Sequence, residues 1–425
     1  MLKSKKILCF RILLFGCVFF MKTVSEAQSN QLGNKTSNDS LTSFQEIHKS
    51  DHKQKDIQDV VKKIFKINIA LDPDSSEIKP GRLLFTFLPF IGYTLETGAE
   101  AIASVNVSFY RGHKKANNLS SISTNSQYSL FNHQIIIPII LNIWSKGNTY
   151  NWLGDYRYYK YPTYTYGLGG QSSLSKSDLI DYSYIRIYQE VLKNISPDFF
   201  AGLGYNMDYH FNIKEYGAGE IGNLTDFQKY SLDTKTISSG LVFHLLYDGR
   251  RNLNNPENGS YASITYRHNF TFLGSNQNWQ SLLFDFRKYI KLSSNSENIL
   301  AFWSFNWFTF GGKSPFLDLP STAWDTYANL GRGYIQGRLR GPGLVCLESE
   351  YRFALSRNGL FGGVVFVNAQ AVSEVQNNKF KNVFPGTGLG FRIKANKFSN
   401  ANIAIDYGFG TGGSQGFFFN ICEVF

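Results

Sequence analysis

Val345-Cys346-Leu347-Glu348-Ser349-Glu350-Tyr351-Arg352-Phe353 is the stretch on which the reading of this chain turns. One face carries Val345, Leu347, Tyr351 and Phe353; the other carries Cys346, Glu348, Glu350 and Arg352. Successive side chains of a strand point to opposite sides, so a period of two describes a strand with one apolar and one polar wall. The pattern recurs from Leu282 to Leu292, where Leu282, Phe284, Phe286 and Ile290 oppose Asp285, Arg287 and Lys291. From Glu100 to Phe109 the odd positions are again apolar and the even ones mostly polar. A soluble sandwich alternates as well, but its polar face looks out and its apolar face fills a core. Here charges keep recurring opposite aromatics along long strands, which suits a barrel greasy outside and wet inside.

Composition agrees with that reading. Of 425 residues, 16% are aromatic, only 18% are charged, and 38 are Gly against 11 Pro. Such a chain is too aromatic to be disordered and lacks the Ala, Glu, Lys and Leu richness of a helical protein. Past the leader, the most apolar run is Ile135 to Leu141, interrupted by Pro138. That falls well short of the ~18–20 residues a membrane helix requires.

The expected fold is therefore all-β: a sixteen-stranded antiparallel transmembrane barrel over residues 83–425. Strands are predicted to begin near Leu83, Ala99, Ser121, Gln134, Tyr150, Asp181, Asp198, Lys235, Ser260, Asn278, Asn298, Gly343, Leu360, Val383, Asn400 and Gly416. An even number returns both chain ends to one rim. The last strand is expected to turn Phe417, Phe419, Ile421 and the terminal Phe425 outward, an aromatic ending typical of barrel precursors.

Before the barrel, Lys3, Lys5 and Lys6 precede an apolar run from Ile7 to Met21, and Ser25-Glu26-Ala27 offers small residues to an export peptidase. Residues 1–27 are read as a secretory signal. Its removal lowers the formal charge from +11 to about +7. That charge is not clustered as a nucleic-acid stripe would be. Residues 28–82 are read as a periplasmic tether containing one short amphipathic helix, capped by Asp56, with Ile57, Val60, Val61 and Ile64 on one side. Cys346 and Cys422 remain after export; they are expected as separate thiols, with pairing the alternative.

No motif for an enzyme stands out. Gly408-Phe409-Gly410-Thr411-Gly412-Gly413 matches a dinucleotide fingerprint only formally, because no helix follows it, and reads better as a hairpin loop. His48 and His52 stand four apart with no third ligand apparent, so no metal or other cofactor is expected. Glu348 and Glu350 read as lumen lining rather than an acid–base pair.

One connection is unusually long. About 30 residues separate the strand ending near Phe310 from the one starting near Gly343, and they contain Gly331-Arg332-Gly333-Tyr334. Loops of that length in compact domains are generally functional.

At Arg332-Gly333-Tyr334, preceding the Glu348-Ser349-Glu350-Tyr351-Arg352 strand, the sequence resembles the bacterial surface antigen superfamily of outer-membrane insertases and translocators. Asp248-Gly249-Arg250, Pro385 to Gly390 and Ile405 to Gly410 resemble its other barrel segments, so the likeness covers residues 83–425. The resemblance implies that Arg332, in the sixth extracellular loop, folds into the lumen and pairs with an inward carboxylate: Glu348, Glu350 or Asp406. It also implies an outer-membrane protein, not an enzyme, related to assembly and translocation machinery. Its partners would be outer-membrane lipid and other outer-membrane or periplasmic proteins. The alternative is a passive channel or the membrane anchor of a partner complex. The departure is at the front. Gln28 to Arg82 are too few and too polar for a polypeptide-transport-associated (POTRA) domain, which likens the chain to the branch lacking them.

Overall fold

A computed structural model describes residues 54–57, 59–60, 81–94, 98–113, 117–130, 133–217, 224–293, 296–326, 328–397 and 400–425. The leader, His48, His52, and the rest of the tether lie outside these. The strands are β1 (Leu84–Thr94), β2 (Gly98–Phe109), β3 (Ser120–Ser129), β4 (Ile135–Trp144), β5 (Tyr150–Lys160), β6 (Thr163–Thr165), β7 (Asp178–Ser196) and β8 (Phe199–Glu215). They continue as β9 (Thr236–Asp248), β10 (Gly259–Asn269), β11 (Trp279–Lys291), β12 (Ile299–Phe310) and β13 (Gly343–Ala354), then β14 (Phe361–Val372), β15 (Phe384–Asn396), β16 (Ala401–Gly410) and β17 (Gln415–Ile421).

Each strand pairs antiparallel with its neighbour in sequence, and β5 and β6 lie end to end along β7. The pair fills one place, so the sheet has sixteen positions. Connections alternate between a loop rim, which carries the long segments 216–235 and 311–342, and a turn rim with shorter ones such as 197–198. β1 lies beside β17 at the seam, yet among the described residues no hydrogen-bonded ladder joins them.

The side chains are distributed inside out. On β13, Leu347 is 55% exposed while Glu348 beside it is 4% exposed. Phe243, Leu389, Phe417 and Phe419 are likewise exposed, whereas Asp208, Arg267, Asn368 and Asp406 are buried. An exposed apolar band opposite buried charge is stable only where lipid covers the band.

Two details differ from the sequence reading. β7 begins at Asp178 rather than Asp181, because Asp178 to Ile180 pair with β6. Phe425 does not face outward. β17 ends at Ile421, Cys422 takes a positive φ of 77°, and the chain turns into the lumen. Phe425 is buried there with its ring 5.2 Å from Trp303. Phe417, Phe419 and Ile421 are exposed. Cys346 is buried, and the thiol of Cys422 donates to Asn254 Oδ1 at 3.6 Å.

At the turn rim, Asp56 caps a short helical segment: its Oδ1 accepts from the Asp59 amide at 3.0 Å. The same segment grips the barrel. Lys397 donates its amide to Asp56 Oδ2 at 3.1 Å and its Nζ to Asp59 Oδ2 at 2.7 Å. Ile57 packs on the Ala395–Ala401 cluster.

Candidate functional site: an arginine loop held in the lumen

The 311–342 connection folds inward rather than standing on the rim. Phe316, Leu317 and Leu319 bury themselves among Tyr161, Tyr182 and Ile213 on one side of the barrel. Leu330 and Leu339 pack with Leu344, Cys346 and Val372 on the other. Polar contacts tie the loop to the first wall: Tyr161 donates to Gln336 Oε1 at 2.6 Å, and Ser238 to Asp318 Oδ2 at 2.5 Å. The loop thus crosses the lumen.

Arg332 sits at the second wall and is fully buried. Its Nε donates to Glu348 Oε1 at 2.8 Å, its Nη2 to the same oxygen and to Glu350 Oε2 at 2.6 Å, and its Nη1 to Asp406 Oδ2 at 2.6 Å. All three inward carboxylates therefore meet one guanidinium. Its plane also lies over the Phe366 ring, 3.8 Å from the centroid. A planar fork of donors can satisfy several carboxylates at once; an ammonium cannot.

Three groups that the sequence reading did not assign to this site complete the network. Arg392 donates to Asp406 and, at 2.8 Å, to Glu423 Oε2. Arg352 bonds Glu350 and donates to the main-chain oxygen of Phe425 at 2.9 Å. The cluster so holds Arg332, Arg352 and Arg392 against Glu348, Glu350, Asp406 and Glu423. Each is buried or nearly so, so opposite charges must compensate one another in place of water. Inward parity with Glu348 and Glu350 was the available signal for Arg352.

Glycines make room for the tripeptide. Gly333 has φ of +102°, a conformation costly for any residue with a Cβ, and a Cβ there would stand 2.8 Å from the Phe409 backbone. A Cβ on Gly410 would stand 2.5 Å from the Tyr334 ring. Tyr334 is buried, donates its hydroxyl to the Pro385 carbonyl at 2.6 Å and accepts from the Thr411 amide at 2.8 Å. The glycine run that formally matched a phosphate loop serves here as the bed of a neighbouring loop.

No protein-family model and no curated protein matches the sequence. Solved structures do. The BamA structure from Haemophilus ducreyi lacking POTRA domains 1–3 superposes with a TM-score of 0.52 at 15% identity, over 79% of this chain and 68% of that one. CdiB from Acinetobacter baumannii superposes with a TM-score of 0.51 at 12% identity, over 80% of this chain and 60% of that one. The fold is that of the BamA and CdiB barrels. The chain spans 60% of CdiB's length, and at these identities the likeness concerns architecture alone.

Proposed function

We propose that this chain is an outer-membrane barrel of the surface-antigen type, exported by residues 1–27, with its loop rim outside and its turn rim in the periplasm. Its function is related to outer-membrane protein assembly or translocation, and its partners are outer-membrane lipid and other outer-membrane or periplasmic proteins. The observation that carries this reading is the Arg332-Gly333-Tyr334 loop pinned inside the lumen by Glu348, Glu350 and Asp406. The fold shared with BamA and CdiB supports it. A freely conducting pore is the competing reading, and a loop fixed to both walls argues against it.

Two measurements test the proposal. Reconstituted in a planar bilayer, the protein should give silence or brief flicker; stable wide openings would favour a channel. In liposomes, it should accelerate insertion of an unfolded barrel substrate. Insertion no faster than in empty liposomes would remove the assembly role.

A further inference from the structure

Across the lumen from Arg332, three side chains from separate strands stand in line. His244 of β9 places Nδ1 2.6 Å from Glu190 Oε2 of β7, and its Nε2 3.0 Å from Ser263 Oγ of β10. An ionised carboxylate only accepts, so Nδ1 donates to it, and in the neutral imidazole Nε2 then presents its lone pair to the serine hydroxyl. That is the relation of nucleophile, base and orienting acid, which is recognised by geometry and not by sequence position. We propose that Ser263, His244 and Glu190 form a catalytic triad that hydrolyses carboxylic esters inside the barrel.

The arrangement is built. Glu190 must reach across β8 to meet His244, and it passes over glycine. Gly204 lies opposite Glu190 in the ladder, and a Cβ on Gly204 would stand 2.5 Å from Glu190 Cγ. Gly202 lies opposite His244. The site is also open to a reactant, for Ser263 and Glu190 line a lumen cavity of about 880 Å³. Tyr261, two residues from Ser263 on the same face, carries the guanidiniums of Arg250 and Arg287 over its ring at 4.5 and 5.1 Å. Each is held there by a carboxylate, Arg250 by Asp248 and Arg287 by Asp285. Strand pairing assembles the triad from residues 19 and 54 apart, so no contiguous motif announces it.

The chemistry closes on these residues. Ser263 Oγ attacks the ester carbonyl carbon while its proton passes to His244 Nε2. The bond to the alkoxy oxygen breaks, and that oxygen takes the proton as the alcohol leaves. Water, giving its proton to His244, then cleaves the acyl-serine, frees the carboxylic acid and restores the hydroxyl.

The test uses the purified, folded barrel and an alkyl fluorophosphonate, which loses fluoride on reaction with an activated serine. Mass spectrometry should place the adduct on Ser263. Hydrolysis of p-nitrophenyl butyrate should fall about a hundredfold in Ser263→Ala and roughly tenfold or more in Glu190→Gln. Gly204→Ala, which touches neither nucleophile nor base, should slow hydrolysis by displacing Glu190. An unlabelled Ser263 in a barrel that still migrates as folded without heating would overturn the proposal. So would undiminished hydrolysis in Ser263→Ala. Should Ser263→Ala fail to fold, adduct mapping on the parent protein decides alone.

Discussion

Gly408 and Gly333 face each other so closely that a Cβ built on Gly408 would stand 2.6 Å from the Gly333 amide nitrogen. The loop and the strand beneath it are therefore fitted with no room for a methyl group. Gly408→Ala should lift the tripeptide, and limited proteolysis should then cut within residues 313–340 faster than in the parent. Gly412→Ala is the control. Its Cβ meets only Arg338 Nη2 at 3.7 Å, and its cost is the positive φ of +65°, about 1 kcal/mol. Equal proteolysis in the two variants would mean that space under the loop is unimportant.

Removing the guanidinium should do more. Arg332→Ala leaves three carboxylates buried without their shared cation, and breaking such a pair typically costs about 3–5 kcal/mol. The folded fraction, read as the heat-modifiable band, should drop together with protection of residues 313–340. Arg332→Lys should recover only part of both, since one ammonium cannot replace the fork.

Loop stability should also depend on pH through Asp318, which lies in the loop outside the strands. Burial first, and the negative charge of Asp208 second, push its carboxyl up to about 7. A carboxyl raised in the folded state holds its proton more tightly folded than unfolded. Its contribution is therefore most favourable below about pH 4 and is lost as pH climbs to about 7. Proteolysis of the loop should be faster at pH 8 than at pH 5. Asp318→Asn, which still accepts from Ser238, should flatten that difference.

At the turn rim, Asp56→Ala removes both a helix cap and the acceptor of the Lys397 amide, a loss of about 1 kcal/mol or more. Lys397→Ala should matter less: Lys397 and Asp59 are 20% and 31% exposed, and such pairs contribute about 0–1 kcal/mol. Protease access to residues 54–60 should rank the variants in that order. Unchanged access in Asp56→Ala would show the segment to be a free tether.

Much of this architecture could be read from the chain. The start of β13 was legible at Gly343 because Glu348 and Leu347 sit on opposite faces of a strand with lipid on one side. Parity alone also put Glu348, Glu350 and Asp406 on the lumen side, though not how many would reach Arg332. What stayed hidden depends on non-local geometry. Nothing near Phe425 signals that a left-handed Cys422 will turn it inward toward Trp303. Arg392 joins the cluster through pairing across the sheet, and the approach of Glu190 to His244 requires an intervening strand with glycine at the right register.

The β7–β8 hairpin has a consequence for how the molecule is met from outside. Its strands run 19 and 17 residues, and at ~3.3 Å per residue the longer spans about 60 Å. Tilted as barrel strands are, by about 40°, it rises about 45–50 Å against an apolar band of roughly 25 Å. Some 20 Å of paired, rigid sheet then stands clear of the lipid like a mast. With the loop rim outward, as proposed, whatever approaches from outside meets that mast before it meets the bilayer.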